Sequence, residues 1–167
     1  MKAKEVSTYF EVDTRWQSVY EINTIEEYKA KFGVEVNFNS NVPEDLQKGG
    51  SVIEAMIVYA YYNHDILDEV IRKVFGVYEL SIKLKTLALG GKLEKVNNNG
   101  KSRAIVLDVL IKQFKDQKEL ESLVPTLDNL RKARNNYANP KQHNVDISII
   151  LDNVKEVVGV INDLFKK

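Results

Sequence analysis

The segment Leu130-Arg131-Lys132-Ala133-Arg134-Asn135-Asn136-Tyr137-Ala138-Asn139-Pro140 puts a cation where helical spacing asks for an apolar residue. Leu123, Leu127, Leu130 and Tyr137 recur at helical intervals and share one face, and Arg134 falls on that same face. Taking an unpaired charge out of water costs several kcal/mol even after relaxation. Arg134 therefore needs a carboxylate, a helix end or an anionic ligand such as phosphate. Pro140 disfavours helical geometry at Asn139. The helix should end near Ala138, with Arg134 and Asn139 about one turn apart where the chain leaves it.

This segment resembles the signature of the HEPN superfamily, helical-bundle proteins that include many RNA-cleaving toxins and defence enzymes. The signature is an Arg, usually followed by Asn or another polar residue, then a short spacer and a His near the end of a helix. Arg134-Asn135 matches the first half, and Ala138 matches the small residue that often precedes the His. The departure is at position 139, which is Asn. The likeness extends from about residue 50 onward, as a long helix, a Gly-containing loop, a shorter helix, the motif helix and a long closing helix. Tyr78-Glu79-Leu80-Ser81-Ile82-Lys83 is similar to the segment in which many members carry a polar or acidic residue facing the motif. Glu79 is thus the expected partner that holds the Arg134 guanidinium.

The resemblance implies metal-independent RNA cleavage with no cofactor, in which the ribose 2′-hydroxyl attacks the adjacent phosphate and leaves a 2′,3′-cyclic phosphate and a 5′-hydroxyl. The Arg would stabilise charge on the phosphate, which its rigid fork suits. The His would move a proton, a role that its pKa near neutrality permits. Asn139 cannot do this, and losing general acid–base help alone costs about 10²–10⁴-fold in rate. Arg134, Glu79 and position 139 are the implied catalytic positions, with Asn135, Arg131, Lys132, Lys141 and His143 as implied RNA contacts. Family members are generally homodimers, so the site would be composite and built across a two-fold axis. A cognate antitoxin or defence partner is implied as well.

Three explanations for Asn139 stay open. It can be a natural degeneration that keeps the fold and RNA or partner binding, or a deliberate replacement that silences a toxic nuclease. Alternatively another group substitutes, and His143, in the polar segment after Pro140, is the candidate. Without the family match, Arg134 reads as a structural residue paired with Glu79 or Glu54, and Arg131, Lys132 and Lys141 as a solvated face. His64, following Tyr59, Tyr61 and Tyr62, either lines the same cleft or is a hydrogen-bonded residue at a helix end. Asp65, Asp68 and Glu69 suit the first turn of a helix. They have no metal-ligand spacing around them, and neither a Gly-rich phosphate loop nor a Ser-His-Asp order is present.

Composition narrows the class. At 167 residues, one domain with a core of its own is expected. Lys+Arg and Asp+Glu are equal at 24 each, whereas a dedicated duplex-DNA binder would show a basic excess. The absence of cysteine excludes disulfides and thiolate metal sites and fits a reducing compartment. Neither a signal-peptide run at the N-terminus nor an apolar stretch of about 18 residues is found. A cytoplasmic protein without a membrane span is expected.

The elements that must position these residues are mostly helical. An all-α fold is expected, an antiparallel HEPN-like bundle of four to five helices over residues 43–167 with a less regular N-terminal extension over 1–42 docked on it. In the extension, Thr24 and Glu27 form a capping box for a helix Ile25–Phe32, Gly33 follows it, and Val34, Val36 and Phe38 alternate as a strand or extended arm. Trp16, amid Tyr9, Phe10, Val19, Tyr20 and Ile22, should anchor the extension on the main body, although such a cluster can also be a partner surface. After Gly49-Gly50, Ser51 and Glu54 form a second capping box, so a helix is expected from there to Tyr62. A break at Asn63-His64-Asp65 with Asp65 as N-cap, or a continuous helix, leads to a stripe that ends at Gly90-Gly91. Within it Gly76 suggests close helix contact. Asn97 to Gly100 is a polar loop. Ser102 should cap a helix running to about Phe114 that buries Ile105, Val106, Val109 and Leu110. A helix, or a pair kinked at Pro125, covers Glu119–Ala138, and a last helix follows Asp146.

Overall fold

Apolar residues at three- and four-residue spacing from Leu67 onward build the longest helix, and the remaining elements are arranged around it. The structure is a computed structural model and describes residues 10–97, 99–137 and 145–166. The helices are α1 (Thr14–Tyr20), α2 (Ile25–Phe32), α3 (Glu44–Tyr59), α4 (Leu67–Ala88), α5 (Leu107–Gln113), α6 (Val124–Tyr137) and α7 (Ile147–Leu164). Between α4 and α5 a small exposed hairpin pairs β1 (Glu94–Val96) with β2 (Ser102–Ala104), Lys95 opposite Arg103. The chain is an all-α helical bundle. Among the described residues no helix is long and apolar enough to cross a membrane.

Helices α3 and α4 are joined by a tight turn and pack antiparallel. Gly49 makes the close approach possible, because a Cβ there would lie 2.7 Å from Val77 Cγ2. Helix α7 lies alongside α4 in the same direction. The backbone N–H of Val145 donates to Asp68 at the two starts, and Lys85 lies over the Phe165 ring at the two ends. Its stripe of Ile147, Ile150, Val154, Val157, Ile161 and Leu164 is fully buried behind the expected Asp146 cap. Helices α5 and α6 close the remaining side.

The extension is part of the core. Trp16 is fully buried, with its indole N–H donating to Ala60 O at 2.9 Å and its ring 4.8 Å from that of Tyr28. The α2 capping box is present as expected. Residues 33–42 form an extended arm without strand pairing, fastened to the end of α7 by three hydrogen bonds between Asn162 and the Asn37–Asn39 stretch.

Several local expectations are corrected. Helix α3 begins at Glu44, behind Pro43, so Gly49-Gly50 lies inside the helix. Ser51 bonds back to Gln47 O, and the Glu54 carboxylate accepts the arm's Val36 N–H instead of closing a capping box. At the break before α4 the capping side chain is Asn63, which accepts from Asp65 N–H. Ser102 lies in β2, and α5 starts five residues later. That start turns Val106 and Val109 outward, 64% and 43% exposed, while Leu110 is buried as expected, together with Ile111 and Phe114. Gly76 touches no neighbouring helix, since a Cβ there would meet nothing within 4 Å.

Candidate functional site

Val124, Leu127 and Leu130 form the buried stripe of α6. One turn further on, this stripe carries Arg134 toward the middle of α4. Pro125 is tolerated because it falls in the first turn of α6, where backbone N–H groups have no acceptor within the helix. Arg134 Nη2 donates to Glu79 Oε2 at 2.6 Å, and Nη1 donates to Asn135 Oδ1 at 3.3 Å. Lys83, one turn along α4, donates to Glu79 Oε1 at 2.6 Å. One carboxylate thus holds two cations. Burial pushes the Glu79 pKa up, but bonds and charge from Lys83 and Arg134 outweigh this and hold it below its ordinary value. The cluster keeps a net positive charge, and 36% of the Arg134 side chain stays exposed.

The Glu79–Arg134 pair borders two clefts. A cleft of about 260 Å³ between α4 and α6 is lined by Arg72, Phe75, Gly76, Glu79, Arg134 and Tyr137. Tyr137 stacks on Phe75 with ring centroids 5.7 Å apart and planes 18° from parallel. The second cleft, about 440 Å³, adjoins the hairpin and the start of α5 and is bordered by Lys83, Leu93, Ile105 and Leu110.

Of the residues expected at the site, Arg134, Glu79 and Asn135 come together. Asn139, Lys141 and His143 lie outside the described residues. Arg131 and Lys132 both pair with Asp128 on their own helix, at 2.7 and 2.8 Å. Arg131 borders a separate cleft with Asp108 and Pro125. His64 does not line the Arg134 cleft. It sits at the α3–α4 turn, 9% exposed, with its ring 4.9 Å from Trp16 and its backbone N–H donated to Asp13. Arg72, Gly76 and Lys83 are site residues that motif and stripe alone do not single out. Their spacing held the signal, since 72, 76, 79 and 83 fall on one face of α4 at four, three and four residues. Among the described residues no group of three or more His, Cys, Asp or Glu side chains is placed to hold a metal.

Set beside known protein families, curated proteins and solved structures, the chain matches none.

Proposed function

We propose that this chain is an RNA-targeting helical bundle of HEPN type, with Arg134 as the phosphate-binding group. The observation that supports the reading most is the state of Arg134. It stands on the core-facing stripe of α6, held by Glu79 yet a third exposed, beside two clefts. A guanidinium fixed by one carboxylate is pre-organised to meet a phosphate with little further loss of freedom. In the active form of such a site the Arg offsets charge as the 2′-hydroxyl oxygen bonds to phosphorus and the 5′-oxygen leaves, and a His moves the proton. Asn at position 139 has no proton to move in the useful range, so this chain as it stands binds RNA and cleaves it poorly.

The test compares the unaltered chain, Asn139→His, and Asn139→His combined with Arg134→Ala, on single-stranded and structured RNA in EDTA. Cleavage is expected to appear with the His, by about 10²-fold or more, and to vanish with the second change. Cleavage by the unaltered chain would place a substitute base such as His143 in the site. No cleavage by any variant would sink the catalytic reading. The second reading, a non-catalytic module that binds RNA or a protein partner, is favoured by Asn139 and by the engagement of Arg131 and Lys132 with Asp128 on their own helix. RNA bound by the unaltered chain without cleavage by the His variant is its signature.

A further inference from the structure

Gly76 lies inside a 22-residue helix, where Gly costs about 1 kcal/mol relative to Ala. Glycines inside the helices of the bundle fall into two kinds, and Gly159 in α7, like Gly76, meets nothing within 4 Å, whereas Gly49 and Gly50 have a steric reason. A Cβ on Gly49 would strike Val77, and one on Gly50 would strike Val36 and Phe38. Nothing in the fold requires glycine at position 76, because a Cβ would project into open space. That space is the cleft between α4 and α6, so a side chain at 76 would fill it.

The chemistry of the walls defines an occupant. Tyr137 is half-buried with its ring braced against Phe75, giving the cleft a fixed aromatic surface. Arg134 stands beside the cleft, and Arg72, itself paired with Glu69, stands on the same face of α4 as Gly76. Planar aromatic surface flanked by guanidinium groups is the combination that stacks an unpaired base while holding its backbone. A volume of about 260 Å³ lies just under the range for drug-sized ligands, which suits one ring system.

We propose that this cleft seats a single unstacked nucleobase of single-stranded RNA against Tyr137, with Gly76 leaving room for the ring and Arg134 meeting the adjoining phosphate. The proposal rests on the RNA-binding reading of Arg134 and adds a base subsite to it.

The test measures binding of an oligoadenylate and of an abasic ribose–phosphate oligomer of equal length, at fixed salt, to the unaltered chain, Gly76→Leu and Arg134→Ala. The unaltered chain is expected to bind the base-bearing oligomer at least about fivefold more tightly, the lower end of the range for one stacked base. Gly76→Leu should bring the two oligomers to equal affinity, whereas Arg134→Ala should weaken both. Equal binding of the two oligomers by the unaltered chain overturns the base subsite and leaves the RNA reading standing. Binding of neither overturns both. A dimer that becomes monomeric in Gly76→Leu, with no change in base preference, assigns the cleft to a second copy of the chain and also overturns the proposal. Adenosine monophosphate binding as tightly as the oligomer assigns the cleft to a free nucleotide and overturns the RNA subsite as well.

Discussion

Arg15 and Arg134 both pair with carboxylates on other elements, and the number of bonds each makes separates their roles. Arg15 is saturated. Its Nε and Nη2 donate to the two oxygens of Asp13, its Nη1 donates to Asp65, and Asp13 also accepts the backbone N–H groups of Arg15 and His64. Arg134 has one bond to Glu79 and one to its neighbour Asn135. The first arrangement is a lock across the start of α1 and the α3–α4 turn, and the second can accept another anion. Asp13 is 8% exposed. Burial raises its pKa, but bonds from Arg15 and His64 more than offset this and hold it far below the usual carboxylate range. A depressed folded pKa contributes stability that is fully present above the unfolded value of about 3.8 and is lost as the pH falls below it toward the folded one. Asp13→Asn should therefore cost about 3 kcal/mol at pH 7, because Arg15 loses its buried partner. The same change should flatten the acid limb of the stability curve below about pH 4, as denaturant titrations of both proteins across the acid range would read. An unchanged acid limb would show that Asp13 is not the group responsible. The Asp13–Arg15 half of the lock is local, but Asp65 was invisible in sequence because it stands 50 residues from Arg15 with no pattern linking the two. The Glu79–Arg134 contact, though equally long-range, was legible because an Arg on an apolar stripe demands a partner and the family resemblance pointed to one.

At the scale of elements, glycines inside helices divide into those that packing requires and those that it does not, and local patterns confuse the two. Gly49-Gly50 next to Ser51 and Glu54 looks like punctuation before a capped helix, yet the helix already runs through it. The true start lies at Pro43-Glu44-Asp45, a proline followed by first-turn acids. The glycines are there because α4 and the extended arm press against α3, which only tertiary packing reveals. The hairpin was missed for a related reason. Asn97–Gly100 was legible as a loop, but the exposed three-residue strands beside it carry no burial pattern to betray them. The α7 pattern was readable because one buried face runs unbroken for the whole helix. These causes predict opposite outcomes for one chemical change. Gly76→Ala should stabilise the fold by about 0.5–1 kcal/mol, from helix propensity and reduced freedom of the unfolded chain. Gly49→Ala should destabilise it by about 1–2 kcal/mol, since overpacking against Val77 exceeds the same propensity gain. Urea unfolding of the two variants checks both signs, and stabilisation by both would mean that α3 and α4 do not meet closely enough at Gly49 to exclude a methyl group.

At the scale of the molecule, the question is whether the first forty residues form a detachable layer or belong to the same cooperative unit as the bundle. Three contacts argue for one unit. The Trp16 indole reaches Ala60 O at the end of α3, the Tyr28 hydroxyl donates to Ile57 O at 2.7 Å, and the arm is pinned to the end of α7 through Asn162. Each of the first two gives a buried polar group its partner in a different element, so separating the layer would exchange that bond for one to water at a net cost of about 0.5–1.5 kcal/mol per group, in addition to exposing the rings. The chain offers a direct probe, since Trp16 is its only tryptophan. Its fluorescence reports the extension, while far-UV circular dichroism is dominated by the longer helices of the bundle. The two denaturant transitions of the unaltered chain are expected to superimpose, as a single two-state unit requires. Trp16→Ala should move the circular-dichroism transition of the bundle itself by about 3–5 kcal/mol, the range for truncating a fully buried aromatic ring. A fluorescence transition that precedes the circular-dichroism transition, together with a bundle indifferent to Trp16→Ala, would make the extension a separate layer. The α3–α4 turn, where Trp16 and His64 meet, would then no longer couple the N-terminal residues to the helix that carries Gly76 and Glu79.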